Sequence, residues 1–252
     1  MSGLSEASWV VTAPPLQRSV RVQRWGWWGD PVLLFPTAGG DAGEVARFHL
    51  ITALEPLISA GRIKVYSVDN VPGQALLFED HQPTVLAHFF HQYAAFVHDV
   101  VLPIITHDCD QIPVITAGAS LGAFHAMALA CRYPNKVRAA ICMSPTFELA
   151  RLLNGHRDEN LYLASPLYFL GAAPETQVAQ IRQQKLIMAF GSGPYENPRR
   201  AWQLSDVMRH RNIPCHLHHW GPTIGHDWSS WRMMLPHYLN QLTEVVPELQ
   251  YA

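Results

Sequence analysis

The sequence predicts an α/β protein, a mostly parallel central sheet flanked by helices, and three observations carry that prediction. Short apolar runs of strand length recur at 32–36, 63–68, 113–117, 138–143, 185–190 and 215–220. Between them lie longer stretches with apolar residues every three or four positions, at 84–105, 121–132, 199–211 and 228–242. The chain has 252 residues, 48% of them hydrophobic and 15% charged, which suits a well-buried core and excludes a disordered chain. Strands separated by helices imply parallel pairing, because a parallel connection must cross back over a sheet face.

The elements follow in order. A first pair, 8–13 and 18–25, is expected to add antiparallel edge strands. VLLFP at 32–36 and IKVYSV at 63–68 are continuous apolar runs, the pattern of strands covered on both faces. The helical stretch 84–105 leads to PVITA at 113–117, then to the Ala-rich helix 121–132 and the strand RAAICM at 138–143. Residues 145–184 carry weak sheet signals and are expected to form short helices over the sheet edge. They make at most a small cap-like insertion in a single domain spanning 1–252. KLIMAF at 185–190, the helix 199–211, CHLHHW at 215–220 and the helix 228–242 complete the alternation. No Gly/Ser linker or charge block marks a second domain.

Charge and cysteine usage exclude several function classes. Eighteen Lys and Arg against 20 Asp and Glu leave a net charge of -2 without basic runs, so no field attracts nucleic acid. Cys109, Cys131, Cys142 and Cys215 lack metal or redox spacing and read as free thiols. The start, MSGLSEASWVVTAPP, lacks the charged and apolar regions of a signal peptide, and no segment runs 18 apolar residues. A soluble, cytoplasmic protein without a membrane partner is expected.

In an open parallel sheet the carboxyl ends of the strands carry the chemistry. After VITA comes GASLG, a G-x-S-x-G pattern followed by a helix. A strand-to-helix turn this tight needs small residues around the serine and thrusts its hydroxyl clear of the backbone. Ser120 is the candidate nucleophile; the competing reading is a small-residue packing corner. A serine hydroxyl needs a base, and the base needs a carboxylate. Of 14 histidines, His226 in PTIGHDW follows the last predicted strand and precedes the final helix. His216, His218 and His219 alternate along a strand and are expected to be packed or surface residues, and His107 and His125 precede any candidate acid. Glu196 is the one carboxylate in GSGPYENPRR, the loop after KLIMAF, where a helix-start role competes. Asp227 adjoins the base and points elsewhere. The oxyanion hole needs two backbone N–H groups. Leu121, after the nucleophile, supplies one, and the loop PTAGGD supplies the other at Ala38, with Thr37 or Gly39 one position away.

The runs GASLGAFHAMALACRYPNKVRAAICMSP and GHDWSSWRMMLPHYL resemble the "Putative esterase" branch of the α/β-hydrolases, which holds esterase D-like enzymes, feruloyl esterases and mycolyltransferases. The resemblance covers roughly residues 30 to 242. It implies an α/β-hydrolase fold and a triad of elbow serine, carboxylate after the penultimate core strand and histidine of the H-x-W-x-x-W stretch. These fall on Ser120, Glu196 and His226. PTAGGD departs from the family, many of whose members have a histidine-glycine or aspartate-glycine pair before the oxyanion donor. The expected activity is a serine carboxylic-ester hydrolase working through an acyl-enzyme on short-chain esters, with no cofactor and no metal. The expected partner is a small-molecule ester, with a homo-oligomer left open. An acyltransferase with the same triad and a catalytically silent binding protein are the alternatives. Trp228 and Trp231 are expected to pack in the core; Phe78 and the Trp27–Trp28 pair line an acyl pocket or fill gaps.

Overall fold

The computed structural model describes residues 4–244. Eight strands form one sheet: β1 (Glu6–Ala13), β2 (Arg18–Trp25), β3 (Asp30–Phe35), β4 (Ile63–Val68), β5 (Val114–Ala119), β6 (Val137–Met143), β7 (Lys185–Phe190) and β8 (His216–His219). Their order is β1-β2-β4-β3-β5-β6-β7-β8. The β1–β2 and β2–β4 pairs are antiparallel, and from β4 onward every pair is parallel. This is the mostly parallel sheet the alternation predicts.

Burial explains why each run takes its place. All six residues of β4 and of β5 are buried, as strands covered on both faces require. Along β3, Leu33 and Phe35 enter one core while Val32 and Leu34 enter the other, the period-two alternation of a strand between two helical layers. Helices Pro83–Phe96, Leu121–Arg132 and Arg199–His210 contribute to the first core; Leu50–Ser59 and Trp228–Leu242 build the second. Edge strand β1 alternates exposed and half-buried residues, and the short edge β8 is largely exposed His-rich backbone.

Two departures from the expected pattern have local causes. The stretch 84–105 is not one helix: a π-helical turn, Val97–Val101, separates Pro83–Phe96 from Leu102–His107. Pro103 cannot donate to the carbonyl one turn back and its ring crowds that carbonyl, so a widened turn precedes it. Residues 145–184 do form short helices, Leu149–Leu152, Glu159–Ala164, Pro166–Phe169 and Glu175–Ile181. They rest on the helical layer rather than over the sheet edge, with Arg132 donating to the Leu163 carbonyl and His91 bonded to Asn160.

Candidate active site

Ser120 occupies the turn between β5 and helix Leu121–Arg132 with φ 56 and ψ -117. L-residues rarely adopt this conformation, which costs about 1–3 kcal/mol and persists only where the surroundings dictate it. Here they do. A side chain on Gly118 would overlap the Gly122 backbone, and one on Gly122 would overlap the Phe35 carbonyl at the end of β3. The two glycines of GASLG therefore let the helix start directly against the sheet. The Ser120 N–H donates to the Met143 carbonyl at 2.9 Å and the Ser120 carbonyl accepts from the Thr146 N–H at 3.2 Å, which ties the turn to the end of β6. Leu121 opens the helix, so its N–H has no partner within the helix.

The loop PTAGGD follows β3 on the same side. The Thr37 N–H donates to the Glu44 carboxylate at 2.7 Å, and the Gly40 N–H to the Thr37 carbonyl at 3.0 Å. Thr37 thus has no N–H to offer a substrate. Among the described residues the N–H groups of Ala38 and Gly39 have no protein partner. Phe78, 71% exposed, lies against the Cα of Gly39 and flanks this loop.

The loops after β7 and β8 are laced together. The Gly193 N–H donates to the Ile224 carbonyl at 2.9 Å and the His226 N–H to the Pro194 carbonyl at 3.0 Å. Side chains on Gly191 or Gly193 would collide with the Ile224 carbonyl, so the GSG of GSGPYE is a record of this close passage. Glu196 and His226 are held on these two loops. The Glu196 carboxylate accepts from the Ser144 hydroxyl, whose oxygen accepts the Trp231 indole N–H at 2.9 Å. The Trp231 ring meets His226 edge-to-face, centroids 5.3 Å apart. Glu196 and His226 are linked in this way through Ser144 and Trp231. Among the described residues the His226 ring makes no direct side-chain hydrogen bond to either Glu196 or Ser120.

Electrostatics set the protonation states. Burial raises Glu196 above the usual carboxylate range, while the Ser144 hydroxyl, the Gly191 and Asn197 N–H groups and the Arg200 charge pull it back. Burial lowers His226, and Arg200 lowers it further, against a smaller opposing effect of Asp227. The imidazole is therefore held neutral, the form a base requires. Arg200 itself donates to Thr146 Oγ1 at 2.9 Å, on the loop bonded to Ser120.

Other expectations resolve individually. Asp227 caps helix Trp228–Leu242, accepting the Ser230 N–H at 2.8 Å. His218 bonds Tyr238 at 3.0 Å and His219 bonds Ser192 at 3.1 Å on the edge strand. Trp231 is buried in the core, as its helical spacing suggests, and Trp228 stacks on Phe48. Trp27 and Trp28 are a correction: they are 65% and 58% exposed before β3, at the amino end of the parallel strands and opposite Ser120. They line no acyl pocket. Ser144 and Arg200 are site residues the sequence reading missed. Ser144 sits just past β6 at φ 44, and a lone serine after a strand carries no pattern that announces it.

The family profile described as "Putative esterase" matches residues 80–242, most of the chain. The chain belongs to that family, and its fold is that of the α/β-hydrolases. Comparison with curated protein sequences finds no match. Among solved structures, a ferulic acid esterase superposes with a TM-score of 0.73 at 16% identity, covering 95% of this chain and 97% of its own. An S-formylglutathione hydrolase from Staphylococcus aureus superposes at 0.68 with 14% identity, covering 96% and 97%. A fluorophosphonate-binding serine hydrolase from the same organism superposes at 0.64 with 14% identity, covering 96% and 99%. Identities this low describe a shared fold. Among the described residues no helix is long and apolar enough to cross a membrane.

Proposed function

We propose that this chain hydrolyses short-chain carboxylic esters through an acyl-enzyme, with Ser120 as nucleophile, His226 as base and Glu196 as acid. His226 takes the Ser120 proton as the oxygen attacks the ester carbonyl, and the Leu121 and Ala38 N–H groups meet the resulting oxyanion. The imidazolium returns that proton to the departing alcohol. Water then attacks the acyl-enzyme, losing a proton to the same histidine, and the imidazolium passes that proton to the Ser120 oxygen as the acid is released. Glu196 holds the imidazole tautomer and stabilises its charge. Hydrogen bonds of this kind are often long in an unliganded enzyme and tighten around the bound substrate. No step uses a cofactor or a metal.

One observation carries the reading: a serine at positive φ on a glycine-walled turn, at the same end of the sheet as two interlaced loops that bear a half-buried carboxylate and a neutral histidine. The four free cysteines, three of them buried, suit a reducing compartment and support a cytoplasmic setting. Hydrolysis of p-nitrophenyl acetate and butyrate tests the assignment. Ser120→Ala should lower kcat/KM by at least about 10³-fold. Equal rates for the two proteins contradict it. Adding an alcohol acceptor and identifying the products separates hydrolysis from acyl transfer.

A further inference from the structure

Building on that triad and oxyanion reading, we propose that His125 and Asn70 are positioning residues that aim the Ala38 N–H at the oxyanion. Neither touches the reacting atoms, and no step above uses them.

Asn70 is fully buried at the start of helix Val71–Phe78. Its Nδ2 donates to the Pro36 carbonyl at 3.1 Å and to the Thr37 carbonyl at 2.9 Å. Its Oδ1 accepts the Gly73 N–H at 3.1 Å and lies 3.0 Å from His125 Nε2. Its own N–H donates to the Gly40 carbonyl at 3.2 Å. Two carbonyl partners fix which end of the amide is nitrogen, so Oδ1 faces the imidazole and His125 Nε2 must carry the proton. Every hydrogen-bonding position of the Asn70 amide is then filled.

The peptide plane explains what this achieves. The Thr37 carbonyl and the Ala38 N–H belong to one planar trans unit and point in opposite directions. Holding the carbonyl on Asn70 directs the Ala38 N–H away from Asn70, and a hydrogen bond to the carbonyl strengthens the N–H as a donor. The preceding peptide is pinned at both ends, its carbonyl on Asn70 and its N–H on Glu44 at 2.7 Å. The following one is backed by Gly73, where any side chain would strike the Ala38 carbonyl. Two consecutive peptide units are thus held by hydrogen bonds and the third is closely packed, with the Ala38 N–H left free.

His125 joins the two halves of the oxyanion hole. It stands one turn beyond Leu121 on the same helix, whose first N–H is the other donor, and holds Asn70 from there. Its ring lies among Phe35, Tyr93, Phe90 and Phe124, with centroids 4.8–5.8 Å away. Phenylalanine would satisfy such surroundings by packing alone; histidine adds one donor, and that donor goes to Asn70. Burial pushes the His125 pKa down to about 3, which keeps the ring neutral and its Oδ1-facing nitrogen a fixed donor at working pH.

The test is steady-state hydrolysis of p-nitrophenyl butyrate together with inhibition by a trifluoromethyl ketone, whose bound tetrahedral oxyanion needs the same donors. His125→Phe keeps the packing and removes the donor. Its kcat should fall about 10- to 100-fold, with KM within about two-fold and the ketone affinity weakened in proportion to kcat. His125→Gln, which offers an N–H near the Nε2 position, should recover most of both. A His125→Phe protein with wild-type kcat and ketone affinity overturns the inference, as does a loss that Gln does not rescue. Should the Phe variant not fold, Asn70→Asp keeps the shape and removes the amide donors; the same kcat loss supports the proposal and wild-type kcat contradicts it. Ser120→Ala in parallel separates the two readings. If it retains full activity, the triad and this inference fall together; if it is inactive while the His125 and Asn70 variants behave as wild type, this inference alone falls.

Discussion

Ser144 joins the acid to the rest of the site, since its hydroxyl donates to Glu196 and accepts from the Trp231 indole beside His226. Replacing it by alanine leaves a half-buried carboxylate short of a donor. A hydrogen bond to a charged group is worth about 1.5–3 kcal/mol, so Ser144→Ala should lower kcat roughly 10- to 100-fold, read by ester hydrolysis. Arg200 makes a second residue-level prediction. Burial and the Arg200 cation both hold His226 below its ordinary value, and the base works only when neutral. Activity should therefore persist to lower pH than an unperturbed histidine allows. Removing the cation in Arg200→Met raises the His226 pKa and moves the acid limb of kcat/KM to higher pH; a limb that stays put or moves down contradicts this role. The turns and loops that carry Ser120, Glu196 and His226 were legible because glycines at close backbone contacts bracket them, as in GASLG, GSGPYE and PTIGH. Ser144, Arg200 and Asn70 were not, because their roles come from contacts between distant loops that leave no local spacing.

Among the elements, the turn after β5 is the most tightly specified. A methyl group on Gly122 would overlap the Phe35 carbonyl, and neither helix nor strand can withdraw without losing its own bonds. Gly122→Ala should destabilise the protein by about 2–3 kcal/mol, seen as a lower urea midpoint with an unchanged slope. The strands were readable because each is a short apolar run closed by turn residues, and the antiparallel opening pair shows the alternation of a half-covered edge. Several helices were harder. Val71–Phe78 is apolar nearly all round and has no stripe to detect, while Leu50–Ser59 carries Pro56 in its interior. The π-helical turn at Val97–Val101 looks in sequence like a continuous helix, since a single wide turn barely disturbs the spacing of apolar residues.

Across the whole molecule, the imidazole buried between the helical layer and the sheet links stability to pH. His125 is depressed to about 3 in the folded chain, while an unfolded histidine titrates near 6.5. Its contribution is complete above about pH 6.5 and is lost progressively as pH falls towards 3, because the unfolded chain takes up the proton first. Urea midpoints should drop between pH 7 and pH 4.5, and the drop should be smaller in His125→Gln; an equal drop in both proteins would place the pH dependence elsewhere. The architecture as a whole serves one end of the sheet, where the loops after β3, β5, β6, β7 and β8 meet. The most direct test of the account is to react the protein with a fluorophosphonate and map the adduct by peptide mass spectrometry. A single adduct on Ser120, absent from Ser120→Ala, is expected; an adduct on another residue, or labelling that survives the substitution, rules out Ser120 as the nucleophile.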